Sequence, residues 1–271
     1  MTPTDYAMQL LINGYVAVPD LIVGDELEQM RADYENRAAQ LGKRGMNWEE
    51  ICTDPPMMRW YGHPNVLEII KAYCGYFGQV PAIMPIGTYG DSYNPDPNEQ
   101  TPIDPDAVRR GEYELHLDPW WMKQTPHIAF ITAAGCLFYL DDTQADSGAY
   151  LAARGSHVLT YPNEKGIPVF PTWEQVKQHC RIEPVPVTAG TGIFQLAFHW
   201  HAGSGAWRNH RRMCRFNFLA RDYMYLQAPE INAEMGSCGG RVGPWTQAER
   251  ALARPEAIPY LPPPPPPGVA A

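Results

Sequence analysis

The sequence predicts an α+β fold in which a strand-built core is covered by helices. Helical periodicity is confined to about the first 78 residues, and short apolar runs divided by turns follow from about residue 80. The 271 residues include 28 prolines and 23 glycines, a density that favours many short strands over a helical bundle. Helices followed by strands in this way are typical of α+β architecture.

Three helices and one strand are predicted in the N-terminal part. Residues 5–13 form a helix that ends at an Asn-Gly pair, and residues 15–18 follow as a strand. An aspartate begins the second helix, over residues 25–41, which has apolar side chains along one stripe and charges opposite. The third helix covers residues 64–78 and begins with a proline.

The later apolar runs predict the strands of the core. They cover residues 80–89, 127–140, 149–153, 182–188, 192–200 and 212–220. Residues 91–111 are rich in Asp, Pro and Asn, which predicts a long surface loop. We expect residues 1–261 to form a single domain. Residues 262–271 form a proline-rich tail, interpreted as a solvated extended segment, with a partner-docking ligand as the alternative.

Composition narrows the class of function. The net charge is −9 and no cluster of Lys or Arg stands out, so no nucleic-acid partner is expected. The apolar runs are shorter than the ~20 residues that a membrane helix needs. Six scattered cysteines without metal-binding spacing are interpreted as thiols of a cytoplasmic protein, with disulfides of a secreted protein as the alternative. A small-molecule substrate is expected, and the oligomeric state is not indicated.

Two segments carry candidate metal ligands. The first contains His116-x-Asp118, and residues i and i+2 of a strand share one face, so both side chains could bind one cation. Such a short motif also arises by chance. The second segment is an apolar strand that ends near His201, followed by a Gly-rich turn and a strand that begins with arginine. Two histidines and one carboxylate leave open positions on iron(II), and arginine binds carboxylates in two places.

Four motifs in order resemble the phytanoyl-CoA dioxygenase-like family of iron(II)/2-oxoglutarate oxygenases. The resemblance spans roughly residues 5–223 and rests on residues 13–20, 116–118, 140–157 and 190–212. Arg154 stands where the family usually has proline, and Thr191 stands in place of an aspartate. The ordered set is far more specific than any single motif.

The resemblance implies a double-stranded β-helix, or jelly roll, with flanking helices. It also implies that His116, Asp118 and His201 hold the iron. His199 competes with His201 for this role, but the Trp-His pair before Ala-Gly-Ser fits the family motif better.

The resemblance further assigns the other site residues. Arg212 would bind the distal carboxylate of 2-oxoglutarate, with Arg211 as the alternative if the Gly-rich turn is offset, and Ser204 would assist. Trp120 and Trp121 follow the metal motif directly and are candidates for contact with the substrate, although aromatic packing is nearly as good an explanation.

The implied reaction consumes O2 and 2-oxoglutarate, releases succinate and CO2, and oxidises a C–H bond of a small metabolite. Hydroxylation in the biosynthesis of a natural product or specialised metabolite is expected, with desaturation or cyclisation as variants. Two other functions stay open: an iron oxygenase that does not use 2-oxoglutarate, and a non-catalytic barrel that binds a small molecule. A structural metal fits poorly, because structural sites normally have a closed ligand shell.

Overall fold

The computed structural model describes residues 1–94, 102–118, 131–220 and 245–261. Among these residues, no helix is long and apolar enough to cross a membrane. The helices are α1 (Pro3–Asn13), α2 (Asp25–Leu41), α3 (Trp48–Ile51), α4 (Pro55–Met58), α5 (Pro64–Gly75), α6 (Pro105–Arg109), α7 (Trp173–His179) and α8 (Gln247–Leu252), with 3-10 turns at Ser156–Leu159 and Ile258–Tyr260.

Local sequence signals fix the N-terminal elements. The Thr2 side chain accepts a hydrogen bond from the Asp5 N–H, and the Asp5 side chain accepts one from the Thr2 N–H, so α1 starts with a reciprocal cap. The helix ends at Gly14, whose φ of 81° lies in the left-handed region that favours glycine. The predicted strand of residues 15–18 and the end of the second helix at residue 41 are confirmed, but Gly24 rather than Asp25 is the N-cap of α2, without a side-chain hydrogen bond.

In the described part of the chain, ten strands form three sheets. They are β1 (Tyr15–Val18), β2 (Pro81–Asp91), β3 (Ala134–Tyr139), β4 (Tyr150–Arg154), β5 (Tyr161–Pro162), β6 (Pro168–Val169), β7 (Arg181–Val185), β8 (Gly192–Leu196), β9 (His201–Gly203) and β10 (Arg212–Ala220). The larger sheet has the order β1-β8-β3-β10-β2, and the smaller sheet has the order β7-β4-β9. The named strand pairs are antiparallel.

The side chains of alternate residues divide the fold into an interior and a helix-covered face. Leu137 and Tyr139 of β3 pack against Tyr150 and Ala152 of β4, so the two sheets face each other across this cluster. The other face of β3, including Phe138, packs with apolar residues of α1, α2 and α5 in the main core. A pair of facing antiparallel sheets with helices outside confirms the predicted α+β jelly roll.

Several predicted strands and the predicted loop have different bounds in the structure. The run predicted over 127–140 becomes a strand only from Ala134, and residues 127–130 lie outside the described part. The run over 192–200 turns after Leu196. In the predicted loop, β2 extends to Asp91 and α6 forms after the helix cap at Asp104, while residues 95–101 are not described.

The C-terminal segment packs on the core although its sequence has weak periodicity. Trp245 is 1% exposed, lies 5.1 Å from Trp48 between ring centroids, and donates to the carbonyl of Ile83 at 2.9 Å. Thr246 caps α8 in a reciprocal bond with Glu249. The proline-rich tail lies outside the described residues. The five cysteines in the described part are free thiols.

Candidate metal centre

Two histidines from distant segments are brought together by a backbone pair. The His116 N–H donates to the His201 carbonyl at 2.9 Å, and the His201 N–H donates back to the His116 carbonyl at 3.0 Å. This exchange places the residues directly opposite each other, and their ring centroids are 4.8 Å apart. The segment around His116 makes an isolated bridge rather than a full strand, so the pairing with β9 itself positions the ligand.

Asp118 completes a three-residue cluster. Its Oδ1 lies 3.6 Å from His116 Nε2, and its Oδ2 lies 3.4 Å from His201 Nε2. The three potential ligand atoms lie within 4.8 Å of one another. Ligand atoms on adjacent corners of an octahedral ion are about 3 Å apart when metal–ligand bonds are near 2.1 Å, so a small closure suffices to bind a metal.

The protonation of His201 suits a metal ligand. Its Nδ1 is 2.8 Å from the backbone carbonyl of His199, and only a protonated Nδ1 can donate there. In the neutral ring, Nε2 then carries the lone pair, on the side of Asp118, where a cation could bind it. The His201 side chain is 7% exposed whereas that of His116 is 59% exposed, so the site is anchored in the barrel and open on one side.

Gln195 of β8 and Tyr150 of β4 support the cluster from within the barrel. The Tyr150 hydroxyl donates to Gln195 Oε1 at 2.7 Å, which turns the amide nitrogen toward the ligands. Gln195 Nε2 then lies 3.2 Å from His201 Nε2 and 3.5 Å from Asp118 Oδ2. A cation on the His201 Nε2 lone pair would replace the contact with Gln195, and the amide N–H would then remain a donor for Asp118 Oδ2.

Arg215 of β10 forms a short ion pair with Asp118. Burial alone would raise the pKa of the Asp118 carboxyl, but the Arg215 guanidinium, together with His201, holds that pKa well below its usual range. Asp118 is therefore ionised at neutral pH and ready to bind a cation without first losing a proton.

The structure does not bring Arg212 to the metal residues. The Arg212 side chain pairs with Asp141 at 2.5 Å and with Glu35 of α2 at 2.9 Å. Its hydrogen bond to Asp141 raises the pKa of Arg212 further above its ordinary value. The cause is strand alternation: Arg212 shares a face with Cys214, which belongs to the helix-covered core, and not with Arg215.

Arg211 lies on the interior side instead. Its Nη2 is 3.2 Å from the Tyr139 hydroxyl, and its guanidinium carbon lies 5.5 Å from the Tyr139 ring centroid. A Cβ added at Gly203 would meet Arg211 Nη2 at 2.9 Å, so the arginine passes close to β9, two residues beyond His201. Arg211 Nε and Ser204 Oγ are buried and have no hydrogen-bond partner among the described residues.

The remaining sequence candidates lie elsewhere. His199 is fully buried, its Nδ1 faces the Tyr150 hydroxyl at 3.2 Å, and it is not part of the three-residue cluster. Burial, with help from His201 and His157, keeps the pKa of His199 well below its usual value, so it is neutral. Trp120 and Trp121, the candidate substrate contacts, lie outside the described residues.

Sequence reasoning missed two residues that touch the cluster, Gln195 and Arg215. Both had a usable signal. Gln195 is a polar residue inside the apolar run from Ile193 to Phe198, and Arg215 alternates with Cys214 and Phe216 along β10. A polar side chain on a core strand points either into the barrel or out to solvent. A candidate metal motif in the same chain favours the barrel interior for Gln195 and Arg215.

The chain is similar to solved structures in fold. No protein-family model matches it, and no curated protein matches it. The carbocyclase SnoK of nogalamycin biosynthesis, a non-haem α-ketoglutarate-dependent enzyme, shares 14% identity with a TM-score of 0.56 over 82% of this chain and 87% of its own.

Two further structures show the same likeness. The epimerase SnoN, in complex with Fe3+, α-ketoglutarate and nogalamycin RO, shares 15% identity with a TM-score of 0.57, covering 81% of this chain and 84% of that one. EctD from S. alaskensis, with 2-oxoglutarate and 5-hydroxyectoine, shares 13% identity with a TM-score of 0.59, covering 82% and 78%. At these identities the likeness establishes the jelly-roll fold.

Proposed function

We propose that the protein is an iron(II)- and 2-oxoglutarate-dependent oxygenase that oxidises a C–H bond of a small metabolite. The observation that carries this proposal is the cluster of His116, Asp118 and His201 inside a jelly-roll barrel. Two imidazoles and one carboxylate on one side of an octahedral ion leave open positions, which suits iron(II) that must also accept O2 and a co-substrate. The solved structures of similar fold include enzymes with bound iron and 2-oxoglutarate.

Arg211, rather than Arg212, is the proposed partner of the distal carboxylate of 2-oxoglutarate. His201 and Gly203 share a face of β9 and are separated by about 6.6 Å, the rise of two strand residues. A five-carbon dicarboxylate that starts at the metal residues can span this distance and end at the Arg211 guanidinium. The buried and unpartnered Arg211 Nε supports the assignment, because it supplies a donor that a ligand carboxylate would satisfy. Ser204 stays a candidate helper, since its buried hydroxyl also lacks a described partner.

The residues of the chain divide the work. His116, Asp118 and His201 would hold iron(II), which together with 2-oxoglutarate and O2 supplies the oxidising chemistry, with succinate and CO2 as products. Gln195 orients Asp118 through its amide nitrogen. The apolar interior between the two sheets keeps water from the reacting C–H bond, so that oxidation is directed to the substrate.

Hydroxylation of a small metabolite in a biosynthetic route is the reaction proposed. The similar structures include two enzymes of nogalamycin biosynthesis and one bound to 5-hydroxyectoine. An intact aspartate among the ligands favours oxygenation, with desaturation and cyclisation as related outcomes on the same site.

The test is an anaerobic optical titration of the metal-free protein, first with iron(II) and then with 2-oxoglutarate. A visible charge-transfer band near about 500 nm is expected on addition of 2-oxoglutarate, because both its keto and carboxylate oxygens can occupy open iron positions. Its absence when iron binds would overturn the role of 2-oxoglutarate. The band should be lost in His201→Ala, which removes a metal ligand.

A further inference from the structure

Arg215 has more donors than its described partners use. Its Nε donates to Asn217 at 3.1 Å and one Nη2 proton goes to Asp118. Arginine has five donors, so the Nη1 group and one Nη2 proton are without a partner among the described residues. The side chain is 28% exposed and pairs with Asp118, so these donors lie near the candidate metal residues without a described partner.

The side chains of Arg215 and Arg211 extend toward different parts of the candidate site. Arg211 directly precedes β10 and Arg215 lies within it, four residues further on, which corresponds to about 13 Å between Cα atoms in an extended chain. Arg211 leans toward Tyr139 and Gly203, whereas Arg215 leans the other way, toward Asn217. A 2-oxoglutarate molecule that runs from the metal residues to Arg211 would therefore leave the free donors of Arg215 for another ligand.

Charge balance points to an anionic substrate. A divalent ion, Asp118, Arg211 and Arg215 carry three net positive charges together, and the dianion of 2-oxoglutarate reduces this excess to one. An uncompensated charge in a partly buried site is costly, so a bound anion beside Arg215 is favoured. The planar guanidinium fork matches a carboxylate, and a sulfonate or phosphate offers the same oxygen acceptors.

We propose that Arg215 binds an anionic group of the substrate, so that the metabolite oxidised here is a small organic acid. This inference rests on the proposed oxygenase function and names its substrate class. Asp118 occupies one Arg215 donor, and the remaining donors would hold the substrate anion beside the residues that would bind the metal.

The experiment compares matched acids and neutral amides on protein loaded with Zn(II), a diamagnetic substitute for iron(II), and 2-oxoglutarate. Binding of phenylacetate and phenylacetamide, and of cyclohexanecarboxylate and its amide, is measured by ligand-observed NMR. We expect each acid to bind at least about tenfold more tightly than its amide, because a hydrogen-bonded charge pair is made only by the acid. Arg215→Gln should abolish this preference, and Arg215→Lys should restore part of it.

Variants of Arg215 and Arg211 also show whether Arg215 binds the carboxylate of the substrate or that of 2-oxoglutarate. With iron(II) at saturation in each variant, the 2-oxoglutarate affinity read from the anaerobic band should fall at least about tenfold more in Arg211→Gln than in Arg215→Gln. If both variants lose it equally, Arg215 serves the co-substrate and the proposal is overturned. Equal binding of acids and amides, or no binding of either acid, also overturns it. If the wild-type protein still forms the iron(II)–2-oxoglutarate band, these results refute only the role of Arg215 and not the oxygenase function. If the wild type forms no band, the oxygenase function itself is refuted.

Discussion

Asp118 links the metal residues to the arginine beside them. Asp118→Ala removes the carboxylate that both histidines face and leaves the Arg215 guanidinium next to the metal position. We expect iron(II) affinity to fall by at least about 100-fold and substrate oxidation to cease. Loss of a residue that only hydrogen-bonds to a metal ligand costs at most about this much, and loss of a ligand should cost more. Anaerobic metal titration measures the first effect, with the isosteric Asp118→Asn as a control for shape. Undiminished metal binding or product in Asp118→Ala would refute the ligand assignment.

The neighbouring arginines of β10 should give opposite results when each is replaced. Arg211→Gln should lower 2-oxoglutarate affinity by about ten- to a hundredfold, because it removes the charged donor for the distal carboxylate. It should not cause a large loss of stability. Arg212→Gln should leave that affinity unchanged and lower the free energy of unfolding by about 2 kcal/mol, because it leaves Asp141 and Glu35 without their partner. Binding titration and urea unfolding of both variants check the pair. A loss of 2-oxoglutarate affinity in Arg212→Gln alone would reverse the assignment.

At the scale of elements, the turn between α1 and β1 is fitted against two histidines. Gly14 has φ +81°, and a Cβ there would lie 2.6 Å from His157 Nδ1 and 2.6 Å from His199 Cδ2. Gly14→Ala should lower the free energy of unfolding by about 3 kcal/mol or more, from backbone strain and overpacking together. Gly155→Ala is the matched control, since Gly155 has φ +77° but open space at its Cβ, and strain alone should cost about 1 kcal/mol. Equal losses in chemical denaturation would contradict the proposed crowding.

The 3-10 turn Ser156–Leu159 should make stability depend on pH. His157 donates from Nε2 to the Leu11 carbonyl at 2.7 Å, and burial, partly opposed by that bond, lowers the pKa of His157 below its ordinary value. The folded protein therefore holds neutral His157, while the unfolded chain takes up a proton below about pH 6.5. Stability from this residue is complete above that pH and is lost as the pH falls from there through the folded-state pKa.

His157→Gln tests this dependence, because glutamine can keep a donor to the Leu11 carbonyl and does not titrate. His63 and His199 also have lowered pKa values, so the wild-type slope includes their contributions. The variant should reduce the slope of unfolding free energy between pH 5 and about 6.5 by up to about 1.4 kcal/mol per pH unit. Urea unfolding at several pH values measures this. An unchanged slope would show that His157 does not contribute.

For the whole molecule, the sequence predicts the fold class and the clustering of three candidate ligands better than it predicts the rest of the site. The helices with clear periodicity were predicted closely, as the end of α2 at Leu41 shows. The clustering of His116, Asp118 and His201 could be predicted because motif order survives without knowledge of sheet register. Arg212 could not be separated from Arg211 because a Gly-rich turn hides which of the two faces inward at the start of β10. Gln195 and Arg215 required knowledge of which face of their strands is the interior.

The packing of the C-terminal segment also escaped sequence reasoning, since its contacts are long-range. Trp245→Ala should lower the free energy of unfolding by about 3–5 kcal/mol, because it empties a fully buried site beside Trp48 and removes the bond to Ile83. Trp245→Phe keeps an aromatic ring there and should cost less. Differential scanning calorimetry compares the two variants. A loss below about 1 kcal/mol for the alanine variant would mean that the segment adds little to the core.

The long reach of these contacts also bears on how the protein emerges from the ribosome. β1 pairs with β8, and the Trp48 indole donates to Glu249, 201 positions later in the chain. Trp48 is thus synthesised well before the segment that packs on it, and this part of its surface stays exposed until residues 245–249 have been translated. Domains that close so late are open to aggregation during synthesis. Chaperone availability, rather than the stability of the finished fold, should therefore limit the yield of this protein on expression.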